Sequence, residues 1–135
     1  MANYMAATRT NYFRVINETR YQELFNKLIA EDSIEDFTYE TDGVLYHGFG
    51  SYASIDYLTE DEEYDFDEFL LELQKILPED EAFIYMEAGH EKLRYVTGDV
   101  IIVTRKEIVF ENSSSWAVKK AKELLGEHFN TQLTY

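Results

Sequence analysis

The chain has 135 residues, 45% of them hydrophobic and 16% aromatic, with one proline and no cysteine. That length supports one domain, residues 1–135, with a real core, and the missing cysteines exclude disulfide scaffolds, thiol nucleophiles and cysteine-ligated zinc or iron–sulfur centres. Against 12 Lys and Arg stand 27 Asp and Glu, a net charge of −15; this argues against direct binding to nucleic acid or an anionic membrane surface, since both are polyanions.

In chain order, the β-branched and aromatic stretch 11–16 reads as a first strand. A helix follows behind Asn17 as N-cap, with Tyr21, Leu24, Phe25, Leu28 and Ile29 on one apolar stripe and Glu31-Asp32-Ser33 at its end. Residues 35–58 read as antiparallel strands. Asp42-Gly43 is a two-residue hairpin signal between 37–41 and 44–47. Gly48 and Gly50 around Phe49 suggest a turn or bulge, and Ala53, Ile55 and Tyr57 form the apolar side of the next strand. A second helix starts at Asp65 as cap, with Glu68 completing a capping box. Phe66, Phe69, Leu70, Leu73, Ile76 and Leu77 make its apolar face and Pro78 stops it. Beyond it come a strand at 82–86, a turn at 87–90, a strand at 93–96, a turn at 97–99 and strands at 100–104 and 108–110. The last helix starts near Ser115, turns Val118, Ala121, Leu124 and Leu125 inward and stops at Gly126. The order points to an α+β fold. Its core matches the ferredoxin-like β-α-β-β-α-β pattern: an antiparallel or mixed sheet with helices on one face, plus extra C-terminal strands and a helix.

The charge is not evenly spread. Residues 31–87 hold one basic side chain, Lys75, and nineteen acidic ones, while the flanking stretches come to +2 and +1. The densest run is 60–68, with seven carboxylates in nine positions. Such a run repels itself unless something basic meets it. Asp65, Asp67 and Glu68 suit a helix start and its dipole, but Glu60, Asp61, Glu62 and Glu63 lie before the cap and have no such local role.

Chemical motifs are scarce. His47, His90 and His128 lack the i, i+4 spacing of a helical zinc site. The twelve residues from Asp61 to Glu72 imitate a calcium loop at both ends but place Phe66 where the central glycine belongs. No nucleophile elbow or phosphate loop occurs. The expectation is therefore a protein that is not an enzyme and needs no metal or cofactor. No segment resembles a signal peptide or an apolar membrane span, so a cytoplasmic location is expected.

Aromatics interleave with the acids through the middle segment. Tyrosine presents apolar area and a hydroxyl together, and neighbouring carboxylates would pair with a partner's Arg and Lys. The candidate partner-binding set is Tyr57, Glu60, Asp61, Glu62, Glu63, Tyr64, Asp65, Asp67 and Glu68. A basic protein surface fits it, above all the nucleic-acid-binding cleft of a nuclease, where carboxylates replace phosphates. Same-face residues of a strand recur every ~6.6–6.8 Å, about twice the 3.4 Å axial spacing of charge along one DNA strand. The alternative is a protein-interaction or self-assembly module, without mimicry, joined through a hydrophobic patch; monomer and dimer both remain open.

The stretches at 10–15 (Thr-Asn-Tyr-Phe-Arg-Val), 47–52 (His-Gly-Phe-Gly-Ser-Tyr) and 87–95 (Glu-Ala-Gly-His-Glu-Lys-Leu-Arg-Tyr) resemble small acidic proteins carried by phages and plasmids of Gram-positive bacteria. The N-terminal pattern is also similar to phage-type ferredoxin-like proteins. A mobile-element origin implies counter-defence: acidic anti-CRISPR and anti-restriction proteins are of similar size and charge. The resemblance brings no catalytic residues with it.

Overall fold

In a computed structural model, which describes residues 4–131, the elements follow as β1 (Met5–Thr10), α1 (Glu18–Phe25), β2 (Leu28–Ala30), β3 (Ile34–Asp36), β4 (Tyr39–Thr41), β5 (Val44–Tyr46), β6 (Phe49–Ser51), β7 (Ile55–Tyr57), α2 (Phe66–Gln74), β8 (Phe83–Glu91), β9 (Tyr95–Val103), β10 (Ile108–Asn112) and α3 (Ser113–Leu125). Six strands form one antiparallel sheet in the order β10-β9-β8-β1-β6-β3; β2 pairs with β7 and β4 with β5 outside it. The chain is thus α+β, with more strands than its sequence pattern suggested.

The first strand is earlier than expected. Met5–Thr10 pairs with β8 over six residues, whereas 11–16 leaves the sheet and keeps one bridge, Phe13 to His47. The aromatic character of that stretch reports burial rather than strand geometry: Phe13 is completely buried from a loop. α1 begins as the sequence indicates, with Asn17 Oδ1 accepting the Arg20 N–H at 3.0 Å. It stops at Phe25, and Leu28–Ala30 becomes a strand against β7. A buried residue three or four places beyond a helix continues the helical stripe, so Leu28 fits either structure.

The Asp42-Gly43 hairpin forms as read, both residues having positive φ (53° and 75°), as a two-residue primed turn requires. Gly48-Phe49-Gly50 does not turn. Phe49–Ser51 is the wholly buried strand β6, where a Cβ on Gly50 would lie 2.6 Å from the Thr8 carbonyl oxygen. α2 has its Asp65 cap, Oδ1 accepting the Asp67 N–H at 3.1 Å. The reciprocal half of the box is missing, because the Asp65 N–H donates to the Tyr57 carbonyl at 2.9 Å.

Residues 87–90 and 97–99 do not turn either. They lie inside β8 and β9, two nine-residue strands paired from Phe83↔Val103 to Glu91↔Tyr95, with Lys92 (φ 50°) in the turn beyond. Their glycines make room instead: a Cβ on Gly89 would strike the Tyr4 hydroxyl, and one on Gly98 would lie 2.9 Å from Ser113 Oγ.

The core lies on one face of the sheet, beneath α1 and α2. Phe13, Phe49, Phe69 and Phe83 are fully buried, with Phe13 and Phe83 edge to face at 5.0 Å and 89°, an arrangement worth ~0.5–1.5 kcal/mol beyond area burial. Helices do not all share that face. Gly98 points away from the core, and Ser113 meets it there. α3 is capped by Asn112, whose Oδ1 accepts the Ser115 N–H at 2.8 Å, and it ends at Gly126 (φ 108°). Val118 and Ala121 are half-buried, but Leu124 and Leu125, expected inside, are 73% and 61% exposed.

Candidate functional site

The acidic run divides on folding. Tyr57 belongs to the core at 3% exposure, its ring 5.6 Å from that of Phe69, and cannot serve as a surface anchor; burial raises its phenol pKa. Residues 59–63 close a tight loop. The Thr59 N–H donates to the Glu63 carbonyl at 2.8 Å, the Glu62 N–H to the Thr59 carbonyl at 3.0 Å, and Glu62 has φ 63°. Asp61, Glu62 and Glu63 project from it, all exposed. Glu60 turns back to Lys27 Nζ at 3.8 Å. Glu68 is exposed on the first turn of α2.

Tyr64, Asp65 and Asp67 go elsewhere. They form one wall of an open cleft of about 710 Å³. Its floor is the sheet at Tyr85, Glu87, Asp99 and Ile101, and its far wall is the β10–α3 junction from Phe110 to Ser115. Asp56, Asp65, Asp67, Glu87, Asp99 and Glu111 put six acidic residues along its lining, and among the described residues no Lys or Arg lines it. Exposed Tyr64 (67%) and Phe110 (59%) stand on opposite walls. Strand alternation builds the floor: Phe83, Tyr85 and Glu87 point to the same side, so the core face becomes anionic at its far end.

Glu87 is held rigidly. Its Oε2 accepts the Tyr4 and Ser54 hydroxyls, each at 3.0 Å, and Oε1 accepts Tyr85 Oη–H at 3.5 Å. Burial, with Glu87 adding, raises the pKa of Tyr4 and Tyr85. Asp99 is the direct cross-strand neighbour of Glu87, and like charges so placed cost stability. Cations are absent from the cleft but abundant on the helical flank. There Arg14 meets Asp80 and Glu81 at 3.0 and 2.7 Å, Arg20 meets Glu72 at 2.9 Å, and Lys75 meets the same Glu72. Hydrogen bonding from Lys75, then Arg20, lowers the Glu72 pKa.

No group of three His, Asp or Glu side chains among the described residues converges as a metal site would require. His47 is buried and structural, with Nε2 2.6 Å from Glu18 Oε2 and its ring 4.1 Å from Tyr21. The cleft therefore offers a fixed field of separated carboxylates with aromatic walls, suited to several cationic side chains at once. Glu87, Asp99, Glu111 and Asp56 escape a reading based on charge runs, since each stands alone in its strand or at its edge. The usable signal is the period-two placement of Glu87 behind Phe83 and Tyr85.

No helix among the described residues is long and apolar enough to cross a membrane. No protein-family model, curated protein or solved structure matches the chain. Fold and site together define an antiparallel α+β domain with an anionic, aromatic-walled cleft between α2 and the β10–α3 junction.

Proposed function

We propose that this chain is a non-enzymatic inhibitor from a mobile element, acting in the bacterial cytoplasm by occupying the basic nucleic-acid-binding cleft of a host defence nuclease. The observation that carries this reading is the set of six acidic residues along the cleft, with no Lys or Arg among its described lining. Neighbouring strands lie ~4.8 Å apart and same-face residues ~6.6–6.8 Å apart. Glu87, Asp99 and their neighbours thus supply a two-dimensional grid of negative charge, denser than one strand could offer. Tyr64 and Phe110 add apolar contact where a nucleic acid would present bases or sugars. The anti-CRISPR or anti-restriction role rests on size, charge and the resemblance to phage and plasmid proteins.

A ferredoxin-like core is part of the same reading. The order β8-β1-β6-β3, with α1 between β1 and β3 and α2 between β6 and β8, supports it; β2, β4, β5 and β7 would then be insertions and β9, β10 and α3 an extension.

The test is capture of basic nucleases from a Gram-positive lysate on the immobilised chain at low salt, with elution by salt or by a short DNA duplex. Expected is a nuclease that both agents release, and that a chain carrying Asp65→Lys, Asp67→Lys, Asp99→Lys and Glu111→Lys no longer retains. Retention unchanged by reversal, or resistant to DNA, rejects the proposal.

A further inference from the structure

The sheet has a second face, turned away from the core. Odd-numbered residues of β1 and even-numbered residues of β8 and β9 point to it. Not one of these positions is Asp or Glu, in a chain with 27 of them. They are mostly apolar and poorly covered. Met5, Met86 and Val96 are 59%, 55% and 60% exposed, and a shallow groove of about 610 Å³ runs between Met5, Ala88 and Val96. α3 packs chiefly on β9 and β10, and among the described residues Met5 of β1 and Met86 of β8 stay exposed beside it. The helix itself is under-packed: none of its thirteen residues is buried, and Trp116, Leu124 and Leu125 are exposed. An isolated helix of that length is marginal in water.

We propose that two copies of the chain pair back to back through this surface, α3 of each lying on the bare β1–β8 part of the other's sheet. The surface is self-complementary as a two-fold contact requires: each copy offers one helix lacking a cover and one strip of sheet lacking a helix. Charge selects a second copy as occupant. Two bodies of −15 repel unless they meet where neither carries carboxylates. The strip of β1, β8 and β9 meets that condition, with Glu111 of β10, opposite Val100, at its edge, and α3 adds Lys119, Lys120 and Lys122 against Glu123. Area agrees. A thirteen-residue helix is ~20 Å long and ~10 Å wide, so two reciprocal contacts involve four strips totalling about 800 Å² measured flat, and more once side chains interdigitate; specific interfaces begin near 1,000 Å² in total. Both acidic clefts remain on the outside.

Sedimentation equilibrium of the full chain tests this at concentrations to about 100 µM, well above a micromolar Kd. The expected mass is twice 15.9 kDa. Raising salt from about 0.05 to 0.5 M should tighten the dimer by screening its repulsion, the opposite sign from release of a basic partner. Met86→Asp and Leu124→Asp should each weaken pairing tenfold or more, as roughly expected for a charge buried without a partner. Leu71→Asp, at a 53% exposed site on α2, should not. Circular dichroism checks that each variant folds, and if Met86→Asp does not, Leu124→Asp and the wild-type mass still decide. A monomer throughout, an assembly larger than a dimer, or a dimer that survives a folded Asp variant overturns the proposal; a monomer that floats with neutral phosphatidylcholine vesicles assigns the face to lipid instead.

Discussion

Glu87 and Asp99 show what single residues contribute here. They face each other across β8 and β9 on the cleft floor, and no Lys or Arg among the described residues lies in the cleft to separate them. Removing one charge should relieve a repulsion of about 0.2–1 kcal/mol. Asp99→Asn is the better choice, because Glu87 also accepts hydroxyls from Tyr4 and Ser54. Thermal melting should show a midpoint higher by about 1–5 °C, while binding to the proposed basic partner weakens; a lower midpoint contradicts the repulsion. At this scale the sequence was partly legible. Asp65 as a cap and Asp42-Gly43 as a turn are local chemistry, decided within a few residues. Tyr57 was legible in part: alternation with Ala53 and Ile55 put it on the apolar side of its strand, where it packs on Phe69, and only its place beside the acids suggested a surface anchor.

Elements were legible where their signals are local and misread where pairing decides. The starts of α1 and α2 follow from Asn17 and Asp65. Their partners in the sheet do not follow from anything nearby. Gly89 and Gly98 suggest turns, yet nine consecutive pairs hold them in strands, and what each glycine answers is a distant residue, Tyr4 or Ser113. Gly50 is the clearest case. It lies in buried β6, and a Cβ there would sit 2.6 Å from the Thr8 carbonyl oxygen, backbone that cannot swing aside as a flexible side chain could. Gly50→Ala should therefore destabilise by about 1–3 kcal/mol, the usual cost of overpacking. The urea midpoint should fall at unchanged slope; an unchanged midpoint means that β1 and β6 can part freely.

For the whole molecule, burial and charge set the response to pH. Tyr21 and Tyr85 are 3% and 4% exposed, and burial raises both phenol pKa values above the usual 10.0. A group whose folded pKa is raised contributes stability that is complete below its unfolded pKa and declines as pH rises beyond it. Stability should thus hold to about pH 10 and then fall, with phenolate absorbance and unfolding rising together. The pair Tyr21→Phe and Tyr85→Phe should move that fall to higher pH; an unmoved transition places its cause elsewhere. The same scale corrects the charge map. Residues 31–87 carry the excess, but folding disperses it. Glu72 and Glu81 meet cations on the helical flank, Glu35 and Asp36 lie on the edge strand β3, and Asp56, Asp65, Asp67 and Glu87 join Asp99 and Glu111 around the cleft. The sequence alone determined an acidic α+β chain, the caps of its first two helices, its tight hairpin and the aromatic supply of its core, because composition and local hydrogen bonding act over a few residues. Tertiary structure alone decided which carboxylates share a site and which face of the sheet stays bare. Both depend on strand register, between neighbours as near as Glu87 and Asp99 and strands as distant as β1 and β8, and a shift of one residue would send every side chain to the opposite face.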